Sequence, residues 1–208
     1  MLISVLREKF GLALTRVQAY EAILELERNF PKKDKLDLFY KKYFPKKMWK
    51  KVRQTKQVYY KNGDKDIKNL KVFPGTMSVL KKLSKQYKMI LLTFGNKKAQ
   101  ERKIRHLGIA KYFQKIIITG NAKKKKELEQ IFREEKKKTP HLERREILVV
   151  GDKPFGEIAA AKQCKMRAIQ YLQPHFERVS YKKSEKPDGQ IKSLSELLRL
   201  LNKFKKSK

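Results

Sequence analysis

The chain has 208 residues, 40% of them hydrophobic, enough for one full domain or a domain with a small cap. Its 54 lysines and arginines against 21 acids give a formal net charge of +33, which favours phosphate-bearing partners, yet the basic residues run through every segment as a lysine-rich solvated surface would. A single cysteine, Cys164, excludes an intramolecular disulfide and a thiolate-rich zinc site and suits a reducing cytoplasm, and no apolar run approaches the roughly 20 residues of a membrane span.

The amino-terminal stretch MLISVLREKFGLAL carries Arg7, Glu8 and Lys9 among its apolar residues, so it reads as an amphipathic helix and not as a signal peptide. Helical spacing continues to residue 29, interrupted at Gly11, with Thr15 as N-cap of the second segment and Pro31 as its stop. Asp34 caps a third helix through Tyr43, and Pro45 to Tyr60 reads as a fourth. The polar stretch KNGDKDIKNLK, from Lys61 to Lys71, contains the turn signal Asn62-Gly63. The first 70 residues therefore form an all-helical unit, with a boundary between residues 61 and 73.

The texture then changes. Pro74-Gly75 is a turn and Thr76 caps a helix to about Gln86. Lys88 to Thr93 is a short buried strand, and a helix runs from Lys97 to Leu107. Lys115 to Thr119 is a second strand, followed by a helix from Lys123 to Lys137. Ile147 to Val150 and Arg167 to Leu172 are further strands. Ser193 caps a last helix, and residues 205–208 form a basic tail. Alternating strands and helices imply parallel strands joined by right-handed crossovers.

The stretch ILVVGDKPFGEIAAA, from Ile147, places Asp152 at the carboxyl end of a fully apolar strand, where open α/β sheets bind their ligands. Glu157 follows at the start of the next helical pattern. Two carboxylates so placed can converge on one hard cation, usually Mg²⁺. They can equally be a strand-to-helix turn with an acid favoured by the helix dipole.

Four stretches in order, VFPGTMSVLKKL, MILLTFGN, KELEQIF and VVGDKPFGEIAAAKQCKM, resemble the haloacid dehalogenase-like (HAD) hydrolase superfamily in its helical-cap branch. The resemblance spans about residues 1–200. It implies an α/β fold: a parallel-sheet, Rossmann-like core at 71–204 with a helical cap at 1–70. It also implies a phosphatase acting on a small phosphorylated metabolite with Mg²⁺. Thr93 would hydrogen-bond the transferring phosphoryl group, and the Phe94–Asn96 loop, with Gly95 and Asn96, would cradle it. Lys126 best matches the family lysine, because Phe132 lies six residues beyond it; Lys123, Lys124 and Lys125 are rivals in the same run. Asp152 would hold the metal, with Glu157 in support, where the family more often has aspartate.

One element of the family pattern has no counterpart. Its nucleophile is an aspartate in a DxD motif ending the first, central core strand. The DxD here, Asp64-Lys65-Asp66, follows Lys61, Asn62 and Gly63 and no apolar strand. Met1 falls where the first cap helix would begin, so the resemblance implies a truncated chain with neither nucleophile nor central strand, and inactive by itself. Its sheet would be left with a slot between the strands at Lys88–Thr93 and Ile147–Val150. The alternative is a catalytically inactive interaction module, or a basic nucleic-acid-binding protein on the same scaffold, although no recognised nucleic-acid motif accompanies the charge. Neither the substrate nor the oligomeric state is legible.

Overall fold

The computed structural model describes residues 2–30, 33–62, 65–119, 124–173 and 182–206. The chain divides into two compact units, Met1–Asn69 and Leu70–Lys208. Among the described residues no helix is long and apolar enough to cross a membrane.

The first unit is helical: α1 (Leu2–Phe10), α2 (Arg16–Asn29), α3 (Lys35–Tyr43) and α4 (Trp49–Asn62). Thr15 forms a reciprocal capping box with Gln18, and the Asp34 carboxylate accepts from the amides of Leu36 and Asp37. Such caps satisfy donors that the first helical turn cannot. The core joins Leu6, Ala19, Leu26, Phe39, Tyr40 and Val52 from all four helices. α4 ends at Asn62, the first residue of the turn signal Asn62-Gly63. Gly63 and Asp64 lie outside the described residues, as does the side chain of Asp66.

The second unit follows the order α5 (Thr76–Ser84), β1 (Ile90–Phe94), α6 (Lys97–His106), β2 (Lys115–Thr119), α7 (Lys124–Lys138), β3 (Leu148–Gly151), α8 (Ala159–Gln163), β4 (Arg167–Tyr171), β5 (Gly189–Ile191) and α9 (Leu194–Lys206). Gly75, with φ +76°, occupies the N-cap position of α5 where Thr76 was expected; Thr76 is the first helical residue. The strand β5 was not expected. Residues 205 and 206 belong to α9, and the last two residues of the predicted tail lie outside the described set.

All ladders are parallel, but they form two sheets, β1–β2 and β3–β4–β5. The two sheets share their helical layers. On one face Ile90 and Leu92 of β1, Ile117 of β2, Val149 of β3 and Ala168 of β4 pack in one cluster with Leu128, Ile131 and Phe132 of α7 and Ala160 and Ala161 of α8. On the other, Met89, just before β1, and Leu148 of β3 join Val79 and Leu83 of α5 and Leu197 of α9. Strand side chains alternate between faces. β1 and β3 thus pack between the same helices with no ladder between them.

Candidate active site

The carboxyl ends of β1 and β3 meet at one side chain, Lys124. It is the first described residue after the β2–α7 connection and opens α7. Its Nζ lies 2.5 Å from Glu157 Oε1 and 5.3 Å from the centre of the Phe94 ring. The two charged side chains retain only 14% and 25% exposure. Gly156 makes the approach feasible: a Cβ there would stand 2.6 Å from Lys124 Nζ.

Glu157 is held by the turn that follows β3. A π-helical segment, Pro154–Ile158, starts at a proline and anchors the buried Ile158. The wider turn carries Glu157 back over Gly151, where a Cβ would stand 2.6 Å from Glu157 Cβ. Any other residue at Gly151 would displace the backbone that aims the carboxylate. Oε1 of Glu157 faces Lys124, and Oε2 is buried without a hydrogen-bond partner among the described residues. A buried orphan acceptor is costly unless something donates to it or it coordinates a cation.

Asp152 immediately follows β3. Its backbone carbonyl accepts from Gln170 Nε2 at 3.0 Å, and Gln170 Oε1 accepts from Gln190 Nε2 at 3.0 Å. Gln170 is fully buried. These two amides form a rail from β5 through β4 to the tip of β3, fixing where Asp152 departs from the sheet. Sequence reasoning missed both; the signal was a glutamine within the apolar strand RAIQY.

On the β1 side, Thr93 is half-buried one residue before the strand end, paired in register with Ile118. The loop beyond it is pinned internally. Gly95 N–H donates to Thr119 O at 3.0 Å, and Asn96 Oδ1 accepts from Ala99 N at 3.1 Å as N-cap of α6. Gln100 Nε2 donates to Phe94 O at 2.8 Å. The Gly95 amide expected to cradle a ligand is therefore committed to β2. With Ala99 N–H taken by Asn96, what the loop offers is the first two amides of α6, those of Lys97 and Lys98.

Lys126, the expected site lysine, is exposed on α7 and faces away, as is Lys125; Lys123 lies outside the described residues. The side chain that reaches the strand tips is that of Lys124. Helical geometry explains the difference. The buried face of α7 is set by Leu128, Ile131 and Phe132. Lys124 lies one full turn before Leu128 and so shares that face, whereas Lys126, two residues before it, does not.

The donor set bears on a metal. Asp152 and Glu157 supply hard oxygen ligands, and the orphaned Oε2 leaves Glu157 with free coordinating capacity. No group of three or more histidine, cysteine or acidic side chains forms a metal cluster among the described residues. Two carboxylates fit Mg²⁺, which keeps several waters and takes one or two protein carboxylates with substrate phosphate.

The Haloacid dehalogenase-like hydrolase family model matches residues 16–171. The chain belongs to the haloacid dehalogenase-like hydrolase family. It is 27% identical over 135 residues to a glyceraldehyde 3-phosphate phosphatase from Pyrococcus furiosus, a match covering 64% of this chain and 56% of that relative. The chain thus spans little more than half the length of that curated relative. Among solved structures, the HAD-hydrolase YfnB from Bacillus subtilis, determined with magnesium bound, superposes with a TM-score of 0.60 at 16% identity, covering 97% of this chain and 90% of that one. A protein assigned as a phosphoglycolate phosphatase from Haemophilus somnus superposes with a TM-score of 0.61 at 16% identity, covering 96% and 88%. Both likenesses establish the fold.

Proposed function

We propose that this chain carries the phosphoryl-binding, charge-neutralising half of a phosphatase site for small phosphorylated metabolites. The observation that carries the reading is the Lys124–Glu157 pair at the strand tips, with one carboxylate oxygen buried and unpartnered among the described residues. A lysine so desolvated serves a reaction in which negative charge accumulates at phosphorus. The phosphatase relative supports a phosphate ester as substrate.

In this reading Asp152 and Glu157 hold Mg²⁺, which when bound supplies charge neutralisation at a phosphoryl oxygen. Lys124 neutralises a second phosphoryl oxygen. The Thr93 hydroxyl donates to a third, and the first-turn amides of α6 orient the group for in-line attack. Asp152 and Glu157 are committed to charge, and no third carboxylate joins them among the described residues. The aspartate that would attack phosphorus is therefore not part of this half-site. Loss of a covalent nucleophile removes nearly all turnover, so hydrolysis of an aryl phosphate by the 208-residue chain is expected to be undetectable. A reducing cytoplasm is the setting that a single cysteine suits.

Calorimetric titration with inorganic phosphate and with glyceraldehyde 3-phosphate, each in Mg²⁺, tests the assignment. Lys124→Ala and Asp152→Asn should each weaken binding about tenfold or more, roughly 1.4 kcal/mol, and Lys126→Ala should leave it unchanged. Equal affinity in the wild type and Lys124→Ala would sink the reading.

A further inference from the structure

We propose that Gln170 and Gln190 are positioning residues for Asp152, acting through a hydrogen-bonded rail whose donor-to-acceptor direction sets how well Asp152 holds its cation. The rail stands on the hydrogen bonds themselves; the cation rests on the function proposed above.

β3 pairs with β4 only as far as Gly151, which stands opposite Gln170. Asp152 therefore lies past the last ladder pair, where the chain leaves the sheet for the π-helical turn at Pro154–Ile158. A side chain holds the backbone there: Gln170 Nε2 donates to Asp152 O at 3.0 Å. Gln190 stands opposite Gln170 on β5, and its Nε2 donates to Gln170 Oε1 at 3.0 Å. Gly151, Gln170 and Gln190 thus form one row across three strands, and the two bonds follow that row to the tip of β3.

Chemistry fixes the direction of the rail. A backbone carbonyl only accepts, so the end of the Gln170 amide that faces Asp152 is its NH₂ group. The amide oxygen then faces Gln190, and a donor is what satisfies it there. Gln170 is fully buried, as are its strand neighbours Ala168 and Ile169. A leucine would fill the place with no polar group to desolvate, and a buried amide gives little stability over an apolar side chain of similar size. What the amide supplies and leucine cannot is a grip on the backbone from which Asp152 projects. Hydrogen-bond partners that orient metal-binding side chains carry about 10–100-fold of metal affinity. Gln190 is the accessible end of the rail: it is exposed on β5, so it can be exchanged without opening the core.

The test titrates Mg²⁺ alone into the full chain and reads backbone amide shifts, for the wild type, Gln190→Lys and Gln190→Glu. Lysine keeps a donor towards Gln170 Oε1. Glutamate offers only acceptors, so it turns the Gln170 amide over and aims the amide oxygen at Asp152 O. Gln190→Lys should bind Mg²⁺ within about twofold of the wild type, and Gln190→Glu about tenfold more weakly. Charge by itself predicts the reverse order, because glutamate attracts a cation and lysine repels it. Gln170→Leu should melt as cooperatively as the wild type and bind about tenfold more weakly. Affinities that follow charge, affinities equal in all three chains, or wild-type affinity in Gln170→Leu would each overturn the proposal. The metal-free spectra separate the two readings. Gln190→Glu should shift the amides of Asp152 and Lys153, and Gln190→Lys should leave them in place. If the wild type and Asp152→Asn respond equally to Mg²⁺, the metal assignment of the proposed function falls; the metal-free shifts then decide the rail, and their absence in Gln190→Glu would overturn it.

Discussion

Lys124 is the residue whose removal says most about the site. Methionine keeps its length and apolar stem and deletes the charge. Glu157 would then retain a largely buried carboxylate with no partner for either oxygen among the described residues. Exposed ion pairs are worth about 0–1 kcal/mol, and breaking a fully buried one costs about 3–5 kcal/mol. With 14% and 25% exposure the Lys124–Glu157 pair lies between these limits. A loss of about 2 kcal/mol follows, including a cation–π contribution of at most about 1 kcal/mol over Phe94. For a chain of this size that lowers Tm by about 4–8 °C.

The assay is urea unfolding followed by the amide signals of the second unit, compared with Lys126→Met. Lys126 is exposed, and its replacement should change stability by less than about 0.5 kcal/mol. Introducing Glu157→Gln into Lys124→Met should recover part of the loss, because a neutral amide no longer demands a countercharge. Equal effects of the two lysine variants, or a double variant less stable than Lys124→Met, would refute the reasoning.

Cys164 and Arg144 make two further predictions. Burial pushes the Cys164 thiol up to about 11, with the Glu129 carboxylate adding to the effect. A thiol reagent at pH 8 should therefore label the unfolded chain and leave the folded one unlabelled. The folded state holds the proton more tightly, so this stabilisation is complete below the ordinary value of 9.0 and is lost as pH rises towards 11; constant stability across that window would contradict it. Arg144 donates to Glu129 through both terminal nitrogens at 2.9 and 2.8 Å, donates to Cys164 O, and stacks 4.2 Å from the centre of the Phe132 ring. Arg144→Ala should cost about 1–2 kcal/mol, discounted for partial exposure, and Arg144→Lys should recover only part of it in denaturant titration. The hydrogen bond from Arg144 holds Glu129 below the usual carboxylate range. This contribution is present above the usual carboxylate range, is lost as pH falls below that range through the lowered value, and should vanish in Arg144→Ala.

The fold was legible wherever one local signal dominated. Lys115–Thr119 is a strand because four of its five residues are β-branched, and the helices after Thr15 and Asp34 start where a short polar side chain can accept an amide. β5 was illegible because only Gly189, Gln190 and Ile191 form it. A glycine and a glutamine carry no strand preference, and what makes the segment a strand is pairing with β4 and the burial of Ile191, both tertiary. At Gly75 the N-cap position demands a left-handed backbone, which outweighs the side-chain capping that Thr76 could supply.

The run of lysines opening α7 can be read in two ways. Matching the spacing of Lys126 to Phe132 treats the run of lysines as a motif anchored at one distant residue. The helix treats it as a rotation, in which each step turns the side chain by about 100°, so neighbours in the run face different directions. Only the residue in phase with Leu128 and Ile131 can point inward, and that phase selects Lys124, which precedes them by four and seven residues. The buried apolar residues thus specify which lysine points inward, because an inward lysine must share their stripe to reach the strand tips at all. Glu157 obeys the same constraint from the other side. Its turn is anchored by Ile158, fully buried, and the carboxylate is aimed because the next side chain along is locked in the core. The site's two charges are positioned by the apolar residues beside them, so a substitution at Leu128 or Ile158 should disturb the ion pair without touching either charge.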